Sequence, residues 1–290
     1  MSSVNVADTV RAAFDFSVDK FPLGGPDGMT TPWYGLFRSD TSGVVGKGSV
    51  TDRYLPHTTD DVVALSEAAN EVFDDDIKVE CHFRDGHYVN ITPPDSYRRD
   101  LYKQRDNVFP RIMIRAGYDG RAFGAAIGYY RDLCSNLSMM RSVKSCNVSI
   151  RHTRSLRTKM DELIETFAEL KNGWKTLTEV ITQMNSRTVV MTEFLNSIYG
   201  EPDTNSKRAV TVHRNRTEAI FRRLQRERAK SGRPAISQTF EVSAWEAYNA
   251  IQGYSQHDST RKSGATNFDR ILLASNDLAV HEAERLALAA

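Results

Sequence analysis

Ile77-Lys-Val-Glu-Cys-His-Phe-Arg84, then Asp85-Gly86, then His87-Tyr-Val-Asn-Ile-Thr92 reads as one β-hairpin. Further on, Arg111-Ile-Met-Ile-Arg-Ala-Gly-Tyr118, then Asp119-Gly120, then Arg121-Ala-Phe-Gly-Ala-Ala-Ile-Gly-Tyr-Tyr130 reads as a second. Asp-Gly supplies the positive φ angles that a tight turn between twisted strands needs, and the flanking runs are rich in β-branched and aromatic residues. Two such hairpins predict an antiparallel sheet of roughly four or five strands.

Working outward, the residues before the first hairpin predict a helix over about Asp60–Phe73. Thr58 or Thr59 caps its acidic first turn, and Val62, Val63, Leu65, Ala68, Ala69 and Val72 form its buried side. Before it, Val45 to His57 alternates enough to be a strand. The first thirty residues, with the turn-forming cluster Leu23-Gly-Gly-Pro-Asp-Gly28, read as a loop or flexible arm.

After the second hairpin the periodicity becomes helical. Leu156, Met160, Leu163, Ile164, Phe167 and Leu170 make one stripe, which predicts a long amphipathic helix ending before Gly173. Further helices are expected over Trp174–Asn185, Val189–Tyr199, about Ser206–Ala229, Ser243–Tyr254 and Asn267–Leu286, with a polar loop from Ser255 to Gly264 between the last two. The fold class is therefore α+β: an antiparallel sheet of hairpins packed on helices, followed by a mostly α-helical C-terminal half. Three regions are expected: an arm over 1–30, an α+β core over 31–172 and a helical region over 173–290.

Composition narrows the function classes. A chain of 290 residues, 40% hydrophobic, buries one sizeable core or two small ones. No run of about eighteen apolar residues occurs, and Met1 to Phe21 lacks the basic, apolar and small-residue order of a secretory leader, so a cytoplasmic protein with no membrane partner is expected. Cys81, Cys134 and Cys146 are odd in number and contain no CxxC pair, which suits a reducing compartment and small core residues.

Net charge is only +1, yet the charge is segregated along the chain. His57 to Ile77 holds seven acids and no Lys or Arg; Leu133 to Met160 holds six basic residues and no acid; Lys207 to Arg233 holds ten basic residues against two acids. Such a layout suits a polyanion on one face, or a second copy of the chain on both.

Cys81, His82 and His87, with His57 near in sequence, form the densest metal-ligating group. A two-residue turn would pair Arg84 with His87 and His82 with Val89, setting the two histidines diagonally on one face and Cys81 on the other, so sheet-surface histidines and no metal are expected. Gly46-Lys-Gly48 does not lead from a strand into a helix as a phosphate loop does, and neither GxSxG nor HExxH occurs. No catalytic residue and no cofactor is assigned.

The basic segments carry more. In Arg141 to Arg154, Arg and Lys alternate with Ser, Asn and Thr, all phosphate donors, and Arg151, Arg154 and Arg157 lie near the predicted N-terminus of the long helix. Tyr88, Tyr97, Tyr118, Tyr129 and Tyr130 are either base-stacking platforms beside Arg84, Arg98, Arg99, Arg115 and Arg121 or core residues of strands. Arg214, Arg216, Arg222, Arg223, Arg226 and Arg228 crowd one helix, as a second nucleic-acid contact or as a solvated face.

Thr31-Pro-Trp-Tyr-Gly-Leu36, Asp52-Arg-Tyr-Leu-Pro56, Tyr118-Asp-Gly-Arg121, Leu133-Cys-Ser-Asn-Leu137, Ile150-Arg-His-Thr153 and Trp245-Glu-Ala-Tyr-Asn-Ala-Ile251 follow one another in an order that resembles the phage/plasmid-like family carrying domain of unknown function 932. The resemblance extends over roughly Thr31 to Leu286. The family's hairpin commonly reads His-Asp-Gly-Ser where Tyr118-Asp-Gly-Arg121 stands, and its Cys-Asn-Asn is here Cys134-Ser-Asn136, so no residue role is carried over. The order of helix, hairpins and long helix is also similar to the core of phage single-strand annealing proteins, which form rings or filaments and break no bonds.

Together these readings give the expectation of a phage-type, non-catalytic protein that binds or anneals single-stranded DNA in recombination or replication. Arg115, Arg121, Arg141, Lys144, Arg151, Arg154 and Arg157 are the expected phosphate contacts, and a homo-oligomeric ring or filament the expected assembly. The alternatives are a phage assembly or interaction protein that oligomerises through its acidic and basic faces, and a metal-dependent nuclease with a dispersed site.

Overall fold

The computed structural model describes residues 5–46, 48–71, 73, 77–83, 85–100, 106–118, 123–131, 136–138, 147–150, 156–237, 241–259, 270–271, 274 and 277–289. The protein is α+β, with antiparallel sheets in its N-terminal half and helices in its C-terminal half. A seven-stranded sheet has the order β3 (Lys78–Phe83), β4 (Gly86–Thr92), β6 (Asn107–Gly117), β7 (Phe123–Arg131) and β8 (Asn136–Ser138). In addition β5 (Arg99–Asp100) pairs with β6, and β9 (Asn147–Ile150) with β7. The neighbouring pairs β3–β4 and β6–β7 are the two expected hairpins; the second turn, Asp119-Gly120, lies outside the described residues.

The chain divides into two compact units. The first comprises Met1–Tyr97, Pro110–Ile127 and Lys144–Gly173. The stretch expected as an arm contains α1 (Val6–Ala13) and β1 (Val18–Gly24). Asn5 caps α1 by accepting from the Asp8 N–H at 3.3 Å, and Val6, Ala7 and Val10 are buried as α1 packs on α2 (Thr59–Glu71). Buried apolar residues on this helix were too few and too short in span to reveal its period in the sequence.

β1 pairs antiparallel with β2 (Thr30–Arg38), and Leu36 and Val18 enter a core with Val45 and Tyr118. Of the strand expected over Val45–His57 the described residues keep one isolated bridge, Val50 with Tyr34; a second, Val44 with Phe37, lies just before it. Gly46 and Gly48 have φ of 82° and 119°, left-handed conformations that interrupt an extended chain. α2 begins as expected: the Thr58 Oγ1 accepts from the Asp61 N–H at 3.2 Å and the Asp61 carboxylate accepts from the Thr58 N–H at 2.7 Å. This reciprocal pair fixes the helix start. β4 and β6 are buried along nearly their whole length, the mark of strands covered on both faces.

The second unit comprises Arg98–Phe109, Gly128–Val143 and Trp174–Ala290. The long helix α3 (Leu156–Ser186) does not stop before Gly173; it continues through it and takes in the separate helix expected over 174–185. Trp174, Leu177, Ile181 and Met184 are all buried at helical spacing, and their burial outweighs the roughly 1 kcal/mol that a mid-helix glycine costs. There follow β10 (Thr188–Val190), α4 (Met191–Tyr199), α5 (Lys207–Lys230), β11 (Glu241–Ser243), α6 (Ala244–Gly253) and α7 (Leu278–Ala289). Every residue of α6 is buried, so it is the central helix of this unit, with α5 and α7 packed against it.

Candidate functional site

Of the seven expected phosphate contacts, Arg115 alone has a described side chain. It stands on β6 at 5% exposure, opposite Tyr88 in the strand pair, with its guanidinium 5.9 Å from the Tyr88 ring centre. In that position it is not presented to solvent. Arg121, Arg141, Lys144, Arg151 and Arg154 lie outside the described residues; Arg157 lies on α3, with its side chain outside them. The tyrosines are core rather than platform: Tyr88, Tyr118 and Tyr129 are buried, and Tyr97 and Tyr130 are partly so.

The histidines are arranged differently from the expectation. Phe83 pairs with His87, His82 with Tyr88 and Cys81 with Val89, which leaves residues 84–86 between the paired ends instead of two. Asp85 takes the left-handed position (φ 53°), and Gly86 lies so close to β6 that a Cβ there would sit 2.6 Å from the Ala116 carbonyl oxygen. The shift by one residue moves side chains to opposite faces. His82 is exposed, while His87 is at 1% exposure on the inner face with Cys81 and Phe83.

There His87 meets His57, also at 1% exposure, with 2.8 Å between His57 Nε2 and His87 Nδ1. Phe14, Phe16 and Phe83 pack on His87; Tyr118 stacks on His57 at 4.1 Å between ring centres and donates its hydroxyl to the His57 carbonyl at 2.9 Å. Burial in this aromatic box, helped by the nearby Arg38 cation, pulls the His87 pKa down to about 3. Burial likewise pushes the Tyr118 phenol up, and the Cys81 thiol up to about 11. His87 is thus held neutral. His57 also lines a cleft of about 750 Å³. Several of that cleft's polar groups are already engaged: Thr59 donates to the Phe14 carbonyl, Ser17 to Asp19, Lys20 to the Asp52 and Tyr54 carbonyls, and Arg11 pairs with Asp60.

α5 carries the most informative electrostatics. Ser206 caps it through the Ala209 N–H, and its basic residues are sorted into two sets. Arg223 and Arg228 turn inward: Arg223 donates to Asp258 at 2.6 Å, and Arg228 to Glu246 at 2.5 Å. Lys207, Arg208, Arg214, Arg222, Arg226 and Lys230 face solvent, and Glu218 is the one exposed acid on the helix. Glu227 turns inward as well, accepting from Arg131 at 2.6 Å, while Arg131 makes a two-pronged bond to Asp106. Of the ten basic residues over 207–233, Arg223, Arg228 and Arg233 are in internal ion pairs, Arg216 lies over the Tyr199 ring, and the other six form the exposed stripe, where Arg226 also stands 3.8 Å from Asp258.

Among the described residues no group of three or more His, Cys, Asp and Glu side chains is placed to hold a metal ion, and no helix is long and apolar enough to cross a membrane. The fold and these surfaces define an α+β protein with a buried histidine pair in its first unit and a basic helix face in its second. The chain belongs to the family defined by the domain of unknown function DUF932, whose model matches residues 47–274. Thr31–Leu36, one of the motifs that carried the resemblance, lies before the matched span. No curated protein and no solved structure matches the chain.

Proposed function

We propose that this protein binds single-stranded nucleic acid without breaking bonds, and that the exposed face of α5 is one of its phosphate-contacting surfaces. The observation that carries the reading is the solvated stripe of Lys207, Arg208, Arg214, Arg222, Arg226 and Lys230 on a 24-residue helix about 36 Å long. Cations along one helix face suit a polyanion, since each neutralised phosphate releases a condensed counterion. Arg121, Arg141, Lys144, Arg151, Arg154 and Arg157 add a second basic stretch to the same reading. The resemblance to phage annealing proteins makes pairing of complementary strands in recombination or replication the activity to assay, in a cytoplasmic homo-oligomer.

Fluorescence anisotropy with labelled single-stranded and duplex oligonucleotides across a salt series tests this. Changing Arg222, Arg226 and Lys230 together to Ala is expected to weaken binding and to lower the salt slope by about 2. An unchanged slope and affinity would remove α5 from the site, and absence of binding at low salt would overturn the reading. A salt-sensitive multimer that ignores oligonucleotide would favour self-assembly through the exposed acids of α2 (Asp60, Glu67, Glu71) and the basic face of α5.

A further inference from the structure

A cavity of about 1110 Å³ opens within the second unit. Its wall on α5 is Val212, Asn215, Arg216 and Ala219, at the i, i+3, i+4, i+7 spacing of one helix face. Leu278 lines it from the first turn of α7 at 81% exposure, opposite no charge of its own turn. A further wall is the single π-helical turn that follows α6, Tyr254–Asp258, where the Tyr254 carbonyl accepts from the Ser259 N–H at 3.0 Å. This wider closure brings Tyr254 and Ser259 to the cavity together, and such turns recur at functional sites.

The charges of the wall favour a ligand with none of its own. Three carboxylates stand against two guanidiniums. Each carboxylate is already engaged: Asp258 by Arg223, Glu282 by Arg285, and Asp277 by the Ser255 hydroxyl and the Ala279 N–H. An anion would meet three negative groups, and a cation would compete with the partners those groups already hold.

Flat surfaces and polar edges remain. Arg216 holds its guanidinium 4.7 Å from the Tyr199 ring centre and makes no ion pair among the described residues. Burial, with Asp277 nearby, pushes the Tyr199 phenol up, so it stays a hydroxyl donor. Asn215 is exposed, and its amide both donates and accepts. Aromatic rings and guanidinium planes suit the faces of a nucleobase, an amide suits its edge, and the base itself is uncharged.

We propose that this cavity is a nucleobase site, and that its occupant is an unstacked base of the single strand whose phosphates follow α5. The second clause rests on the nucleic-acid reading and deepens it. Arg208, Asn215 and Arg222 are seven residues apart in turn, so they lie along one line of the helix with about 10 Å between neighbours. A strand held at Arg208 and Arg222 therefore passes Asn215 at the cavity.

The experiment is fluorescence anisotropy of the full chain with two labelled single strands of equal length, one carrying its bases and one made of abasic sites, across a salt series. The wild type should bind the strand with bases about tenfold or more tightly, with the same salt slope for both, because the phosphates are unchanged. Asn215→Ala and Tyr254→Leu should each cut that advantage several-fold and leave the affinity for the abasic strand as it was. Asn215 is exposed, so its variant should keep the wild-type circular dichroism and thermal unfolding even if the change at Tyr254 disturbs the fold. Equal affinity of the wild type for the two strands, or a base advantage that Asn215→Ala retains in full, would overturn the cavity assignment and leave the phosphate surface of α5 standing. Should neither strand bind, titration with adenosine and thymidine, which carry no phosphate, separates the two ideas. A nucleoside bound by the wild type and lost in Asn215→Ala would support the nucleobase site and overturn only the single-strand reading; no nucleoside binding would overturn both.

Discussion

Arg131 and Asp106 form a two-pronged ion pair with both side chains at 0% exposure: Nε donates to Oδ1 at 2.7 Å and Nη2 to Oδ2 at 2.6 Å. The remaining nitrogen, Nη1, donates to Glu227 at 2.6 Å, and Arg223 stands 3.8 Å from the other Glu227 oxygen. Positive and negative groups therefore alternate from β7 to α5. Charges so deep persist only when each is matched, because desolvating an unpaired ion costs several kcal/mol.

Arg131→Met should accordingly be among the most damaging single changes in the second unit, since it leaves two buried carboxylates facing each other. A loss of about 3–5 kcal/mol is expected, read as a fall in the urea midpoint. Combining it with Asp106→Leu and Glu227→Leu should recover much of the loss. A triple variant no more stable than Arg131→Met would show that the network does more than neutralise itself.

Buried His87 makes the first unit acid-sensitive. His87 titrates near 6.5 when unfolded and at about 3 when folded, so the fold favours its neutral form. That contribution is fully present above about pH 6.5 and shrinks as pH falls toward 3; roughly 2 kcal/mol should be gone by pH 5. Urea unfolding at pH 7 and pH 5 measures it. In His87→Phe the difference between the two pH values should be smaller by about that amount, and an equal difference in both proteins would refute the assignment.

Gly86 is held by proximity rather than by an unusual backbone angle. A Cβ at this position would stand 2.6 Å from both the Ala116 carbonyl oxygen and the Gly117 Cα, and neither backbone atom can swing away. Gly86→Ala should destabilise by more than about 1 kcal/mol, even though alanine ordinarily stabilises a chain relative to glycine. Asp85→Gly, at the left-handed residue next to it, should be tolerated far better by the same thermal-unfolding measurement.

Ser243 and Glu246 start α6 with a reciprocal cap, each side chain accepting from the other's backbone N–H at 3.2 Å. Glu246 also accepts from Arg228 at 2.5 Å and lies 2.7 Å from Arg233. Ser243→Ala should cost about 1 kcal/mol, the usual value of a lost cap. Glu246→Gln should cost about 3 kcal/mol, because it also leaves two largely buried cations without their counter-charge. Equal urea midpoints for the two variants would show that the ion pairs contribute little.

What the sequence determined by itself was the set of elements whose signals are local. The cap at Thr58 and the first Asp-Gly turn lie within a few residues of what they organise, and the spans of α5 and α6 follow from local pattern, so α2, α5, α6 and the β3–β4 hairpin were legible as elements. Tertiary structure decided what those elements show to one another. One residue of register sent His82 to solvent and His87 to His57, thirty positions earlier in the chain. Burial of Trp174, Leu177 and Ile181 carried α3 through Gly173. Arg131 found its partners 25 and 96 residues away, and Arg223 and Arg228 of α5 turned inward where Asp258 and Glu246 were brought beneath them. Caps and periods act over one turn of chain, whereas register, burial and charge pairing depend on groups that are distant in sequence and meet only once the chain has folded.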